Sequence, residues 1–217
     1  MKTLFRNFIS VLRRFKMATL LNVLGLSIAF TAFMVIMMQV SYDYTFDSCQ
    51  PEADAIYRMD MDFQGKASAV FSRPFARGFT ESSPHIKAGM IMASWNSELL
   101  YSVERQGERL NFQDPVVNAS PGITRVFHFD MVEGDETALD QPETAIIPES
   151  MARRLFGDES AIGKRLMNVE TGSTVATISG VFKDFPLNSS IRNIIYRQMH
   201  PKEIYSTWNN QNYFFFF

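Results

Sequence analysis

Residues 18–40, ATLLNVLGLSIAFTAFMVIMMQV, form a run of 23 residues without a charge. As a helix rising about 1.5 Å per residue it reaches about 35 Å, enough to cross a hydrocarbon core of about 30 Å with some tilt. Its polar members Thr19, Asn22, Ser27, Thr31 and Gln39 are neutral and can bond within their own helix or to a neighbour. A cleaved signal peptide is the competing reading. Its apolar region usually spans about 7–15 residues, and no small-x-small cleavage site follows this run before the acidic stretch. Cys49 also lacks the small-residue pattern of a lipoprotein signal. The run therefore predicts an uncleaved membrane anchor.

Charge sets the expected orientation. Residues 1–17 contain Lys2, Arg6, Arg13, Arg14 and Lys16 and no acid, whereas Asp43, Asp47, Glu52 and Asp54 follow the span before the next basic residue, Arg58. The positive-inside rule then places the N-terminus in the cytoplasm and the body outside. Within 1–17, Leu4, Phe5, Phe8, Leu12 and Phe15 recur at helical spacing, which predicts a short amphipathic helix on the inner membrane surface. Arg6, Arg13, Arg14 and Lys16 would sit at that interface; a plain basic flank is the simpler alternative. Inside the span, Ala18, Asn22, Gly25, Ala29 and Ala32 repeat at steps of four and three. Those steps align small residues on one face, where a second helix can approach closely.

The remaining 177 residues, 41–217, carry 16 basic against 23 acidic side chains, a net charge of −7. An acidic body speaks against a nucleic-acid partner, because phosphate binding needs a basic footprint. Strands are expected at 55–63, 86–95, 99–105, 144–148 (TAIIP), 164–169, 174–186 and within SSIRNIIYRQM. Helices are expected where Pro74 opens a turn with Phe75 and Phe79, at SPGITRVF with Ser120 as cap, and at ESMARRLFG with Gly157 ending it. Strands and short helices without regular alternation predict an α+β domain rather than a doubly wound sheet. The terminal YFFFF is the one low-complexity tract, and it is too short to span a membrane.

Little of the sequence points to catalysis. GDESAIGKRL, 157–166, is one residue too long between its glycines for a phosphate-binding loop, has Arg165 where the hydroxyl should stand, and carries Asp158 and Glu159 in the cradle. Gly157 as a helix end and Gly163 as a turn explain it better. DYTFDSCQPEAD, 43–54, lacks the glycine and glutamate of a calcium loop. His85, His128 and His200 are far apart, Cys49 has no second cysteine to pair with, and Ser150 lacks the glycines of a nucleophile elbow. The sequons NAS (118–120) and NSS (188–190) are patterns that chance supplies often. No catalytic residue, cofactor or metal is nominated.

Four blocks in order resemble the N-terminal part of a MacB/FtsX-type ABC transporter permease. They are RNFISVLRRFKMATLLNVLGLSIAF, SYDYTFDSCQPEADAIYRM, ETAIIPESMARRLFGDESAIGKRL and ISGVFKDFPLNSSI. The resemblance spans essentially the whole chain. It implies a cytoplasmic basic segment (1–17), a transmembrane helix (18–40) and a periplasmic core domain (41–217) in a bacterial inner membrane.

The same resemblance implies a non-enzymatic permease that dimerises with itself or a related permease and works with an ABC-type ATPase subunit. The ATP cycle of that subunit would move the periplasmic domains in export, efflux or lipoprotein release. Because such permeases continue into three further helices and a cytoplasmic loop that meets the ATPase, the chain reads as the front of a permease, by fragmentation, truncation or frameshift. Membrane lipid is the remaining implied partner. The alternative is a single-pass anchored binding or sensor domain, complete as it stands. A tethered hydrolase is weakest, for want of a nucleophile, base or metal set.

Overall fold

The computed structural model describes residues 6, 10, 12–63, 65–200 and 207–217. The chain divides into two compact units, Met1–Phe46 and Asp47–Phe217. The first is dominated by helix α1, Lys16–Tyr44, whose 29 residues contain no buried side chain. Where the structure shows a partner for the neutral polar residues it is local: Thr19 Oγ1 donates to the Leu12 carbonyl at 3.5 Å, just before the helix, and the others bond within it. Thr31 Oγ1 donates to the Ser27 carbonyl at 2.8 Å, and Gln39 Nε2 donates to Asp43 Oδ1 at 2.9 Å. Satisfying polar groups locally is what an apolar surrounding demands. Most of the expected amphipathic helix lies outside the described residues; Arg6, Ser10 and residues 12–14 are helical, and Phe15 breaks the helix with φ −113° and ψ 53°.

Among the described residues the second unit holds twelve strands and three short α-helices, an α+β arrangement as the sequence predicts. The strands are β1 Met61–Phe63, β2 Lys66–Ser68, β3 Val70–Phe71, β4 Met90–Ala93, β5 Ser97–Arg105, β6 Glu108–Ala119, β7 Met131–Glu133, β8 Thr144–Pro148, β9 Arg165–Asn168, β10 Thr174–Phe182, β11 Ile195–Gln198 and β12 Tyr213–Phe216. The helices are α2 Arg73–Glu81, α3 Ile123–Val126 and α4 Glu149–Phe156. β1 and β2 form a separate hairpin, and the rest make one sheet in the order β11-β8-β10-β9-β5-β6-β4-β12-β3, with β7 on β10. β11 also pairs with β6, so β11, β8, β10, β9, β5 and β6 close into a ring. The β8–β10 and β6–β11 pairs are parallel and the others antiparallel.

Alternation sorts the side chains of these strands between two cores. Tyr101 and Val103, Val116, Ala145 and Ile147, Leu166, Ala176 and Ile178, and Ile195 come from all six ring strands and form one cluster with Met151, Leu155 and Phe156 of α4. Their neighbours Val117, Ile146 and Tyr196 face the other way, into a second cluster with Ile123, Phe127 and Phe129. Ala145, Ile146, Ile147 and Pro148 of TAIIP are all buried, because β8 is covered on both faces. In the first core, Tyr101 is fully buried and its hydroxyl donates to Asp114 Oδ2 at 2.7 Å. Arg154 Nη2 reaches both oxygens of Asp114 at 2.6 Å, so the one buried carboxylate of this region is paired.

Several local expectations are corrected. The strand expected at 55–63 is divided: residues 57–59 run beside 215–217, with Tyr57 N–H donating to the Phe217 carbonyl at 2.9 Å, and β1 covers only its end. Ser120 does not cap a helix. Its Oγ accepts from the Ile91 N–H at 3.0 Å, Gly122 takes the cap position, and α3 is a single turn. SSIRNIIYRQM yields a strand only at its end, because Asn193 is held by both backbone groups of Phe185 at 2.8 Å. Pro74 and Gly157 behave as expected: Ser72 caps α2 and Gly157, at φ 67°, ends α4.

YFFFF is no tail but strand β12, seated between β4 and β3. Tyr213 and Phe215 are buried, and Phe215 meets Phe79 of α2 at 5.7 Å between ring centroids. Phe215→Ala should therefore cost about 3–5 kcal/mol, lowering the Tm of the detergent-solubilised chain by about 10 °C. Leu187→Ala, at a residue 92% exposed, should leave it unchanged. Burial, aided by the Asp114 bond at Tyr101, raises the phenol pKa of Tyr101 and Tyr196 above that of the unfolded chain. The folded state thus holds these protons more tightly. This contribution is complete below about pH 10, the unfolded phenol value, and is lost as the pH rises beyond it. Urea unfolding at pH 9 and 11 should show a steeper alkaline loss for the natural chain than for Tyr101→Phe/Tyr196→Phe.

Candidate functional site

The membrane helix is the first candidate. α1 is long and apolar enough to cross a membrane by length and composition. Ala18, Asn22, Gly25, Ala29 and Ala32 all lie in this uninterrupted helix and are exposed. At about 100° per residue they span an arc of about 80°, a narrow face of small side chains. A Cβ added at Gly25 would meet nothing within 4 Å, so no contact inside the chain requires the glycine. Arg6, Arg13, Arg14 and Lys16 are exposed and lie at or before the start of the helix.

The second unit begins at a junction that sequence reasoning missed. Asp47, in a left-handed backbone conformation at φ 55°, takes the Ser190 N–H on Oδ1 at 2.6 Å and the Ser190 hydroxyl on Oδ2. Its own N–H donates to the Asn188 carbonyl at 2.8 Å. Two residues on, Cys49 Sγ lies 3.6 Å from Ser189 Oγ. Gln50 is buried and its Oε1 accepts the His128 N–H at 2.7 Å. Asp47 of the calcium-like stretch thus serves as a backbone cap, and the NSS sequon is its counterpart. The two partners stand 143 residues apart, so no local pattern in the sequence pairs them.

The remaining sequence motifs find structural uses. Lys164, the lysine of the phosphate-loop near-match, is ion-paired with Glu159 at 2.7 Å inside that loop, and Gly163 turns the chain at φ 79°. Asn118 of the other sequon is in β6, its Oδ1 accepting from Arg197 Nε at 2.8 Å. Ser150 lies in the first turn of α4, its N–H donating to Asp184 Oδ1 at 3.0 Å. His85, His128 and His200 are exposed, and among the described residues no group of three or more His, Cys, Asp or Glu is placed to hold a metal.

Comparison with known proteins follows the same division. Residues 19–213 match the family model of the MacB-like periplasmic core domain. Among solved structures, a domain of a protein assigned as a permease from Porphyromonas gingivalis is 26% identical with a TM-score of 0.65, over 77% of this chain and 76% of that one. The extracellular domain of the noncanonic ABC-type transporter YknZ from Gram-positive bacteria is 17% identical with a TM-score of 0.42, over 74% and 80%. The periplasmic region of MacB from Actinobacillus actinomycetemcomitans is 14% identical with a TM-score of 0.43, over 74% and 72%. No curated protein matches the sequence. With the match running from inside the apolar helix to the first residue of β12, the chain belongs to the MacB-like periplasmic core domain family.

Proposed function

We propose that this chain is the membrane-anchored front part of an ABC transporter permease subunit, whose outer domain is moved by the ATP cycle of a partner ATPase. The observation that carries the proposal is the family match, which runs unbroken from the apolar helix through the outer domain. Export, efflux or lipoprotein release is the work such motion would do. The N-terminus is cytoplasmic and the domain periplasmic, in a bacterial inner membrane, because the basic residues precede the span and the acids follow it. Arg6, Arg13, Arg14 and Lys16 meet anionic headgroups there, each contributing about 1 kcal/mol near the surface. The face of Ala18, Asn22, Gly25, Ala29 and Ala32 packs against a helix of the permease or of its homo- or heterodimeric partner.

Orientation is tested at Leu187, 92% exposed on the outer domain. In a Cys49→Ser background, Leu187→Cys should react with a membrane-impermeant maleimide in intact spheroplasts. Protection until the cells are lysed would reverse the assignment. Gly25→Ile with Ala29→Ile tests the helix face by energy transfer between labelled copies in liposomes. Because no contact within the chain meets Gly25, the outer domain should keep its Tm while association weakens at least tenfold, about 1.4 kcal/mol. An ABC-type ATPase should co-purify from native membranes when the chain is expressed together with the further permease helices and the cytoplasmic loop that meets the ATPase. Its absence under those conditions would favour an anchored binding domain.

A further inference from the structure

A row of paired residues crosses one face of the sheet at an end of the six-strand ring. Arg197 on β11 stands opposite Asn118 on β6, Met92 on β4 opposite Ala119, and Ala93 on β4 opposite Tyr213 on β12. Arg197, Asn118, Ala93 and Tyr213 therefore share a face, and all four line a cleft of about 610 Å³. That volume is typical of small-molecule sites, which run to about 300–1,000 Å³. Ala93 creates the space, because its single methyl lies between the polar pair and the tyrosine ring. Trp95, two residues on and 52% exposed, forms a wall. The cleft lies away from α4: Arg197 pairs with Ala145 near the start of β8, whereas α4 follows the end of that strand.

Arg197 is out of place there by the logic of the fold. Ile195 and Val116 face the apolar core of the ring, and the residues two further on, Arg197 and Asn118, continue the same faces. A cation thus occupies a position that the strand pattern reserves for an apolar side chain. Its Nε is used on Asn118, and among the described residues it has no ion pair. Burial lowers its pKa, the mark of a charge deprived of water. Nearby, the Oε1 of Gln198 is buried without a donor. Arg73, stacked 5.1 Å over Tyr213, adds a second cation to the cleft, against the one lining carboxylate among the described residues, Glu143.

We infer that this cleft binds a small organic carboxylate, gripped by the free edge of the Arg197 guanidinium, with its apolar body between Trp95 and the Ala93 floor. A planar fork suits a carboxylate bidentately, and Glu143 disfavours a more highly charged anion. Binding here is independent of ATPase coupling.

The test uses the full chain in detergent with Trp208→Phe, which leaves Trp95 as the sole tryptophan. Cyclohexanecarboxylate is the probe, with cyclohexanecarboxamide and inorganic phosphate as comparators. Saturable change in Trp95 fluorescence with the carboxylate, at least tenfold weaker with either comparator, is the expected result. Arg197→Gln should weaken it at least tenfold, and Ala93→Leu, which fills the floor, should abolish it, each at a Tm within a few degrees of the parent. If Arg197→Gln does not fold, the Ala93→Leu comparison decides. No saturable change, equal binding of the carboxamide or of phosphate, or undiminished binding in a folded variant overturns the inference.

Discussion

Closure of the ring by β11 is the constraint on which the core domain depends. Four residues, Ile195–Gln198, pair antiparallel with β8 and parallel with β6, and so join the end strand β8 back to β6, four strands further along the sheet. A strand with both edges paired leaves no ladder for another chain to extend. It also seals the apolar interior, because Ile195 completes the cluster that Tyr101, Ile147 and Leu166 begin. α4 plugs that interior through Leu155 and Phe156, and Arg154 reaches back to neutralise Asp114. The buried carboxylate is tolerable only because a guanidinium and a phenol together satisfy it.

From this ring the sheet extends sideways through β4, β12 and β3, and α2 packs on the extension with Phe75 and Phe79. The junction at Asp47 fixes the first residues of the domain to the turn that leads into β11. Two of the sequence blocks that mark the family are therefore neighbours in space, through Asp47 and Ser190. Their physical role is to satisfy backbone donors at a turn, which only carboxylate and hydroxyl side chains at those positions supply.

The membrane part obeys a different solvent. α1 exposes large apolar side chains over its whole length, which in water would be a severe cost and in lipid is the stable state. The change from basic to acidic residues across it gives the two ends opposite affinities for an anionic leaflet.

The anchor, the α+β class, the apolar strand at 144–148 and the helix ended by Gly157 were legible in the sequence, because each rests on local chemistry: apolar length, alternation or a left-handed glycine. The family blocks were legible too. What pairs with what was not. YFFFF offers no periodicity, since every position is apolar; only the ladder to β4 decides that Tyr213 and Phe215 face the core. Ser120 looked like a cap until Ile91, 29 residues earlier, claimed its hydroxyl. Asp47 and Ser190, and the row of Arg197, Asn118, Ala93 and Tyr213, are brought together by strand register across the sheet. The sequence by itself determined the anchor and those elements with a local signature, such as the strand at 144–148 and the helices opened by Pro74 and ended by Gly157, because these follow from side chains within one turn or one strand. The ring, its mouth and the Asp47 junction were decided by tertiary structure, because hydrogen-bond pairing between distant segments leaves no local pattern.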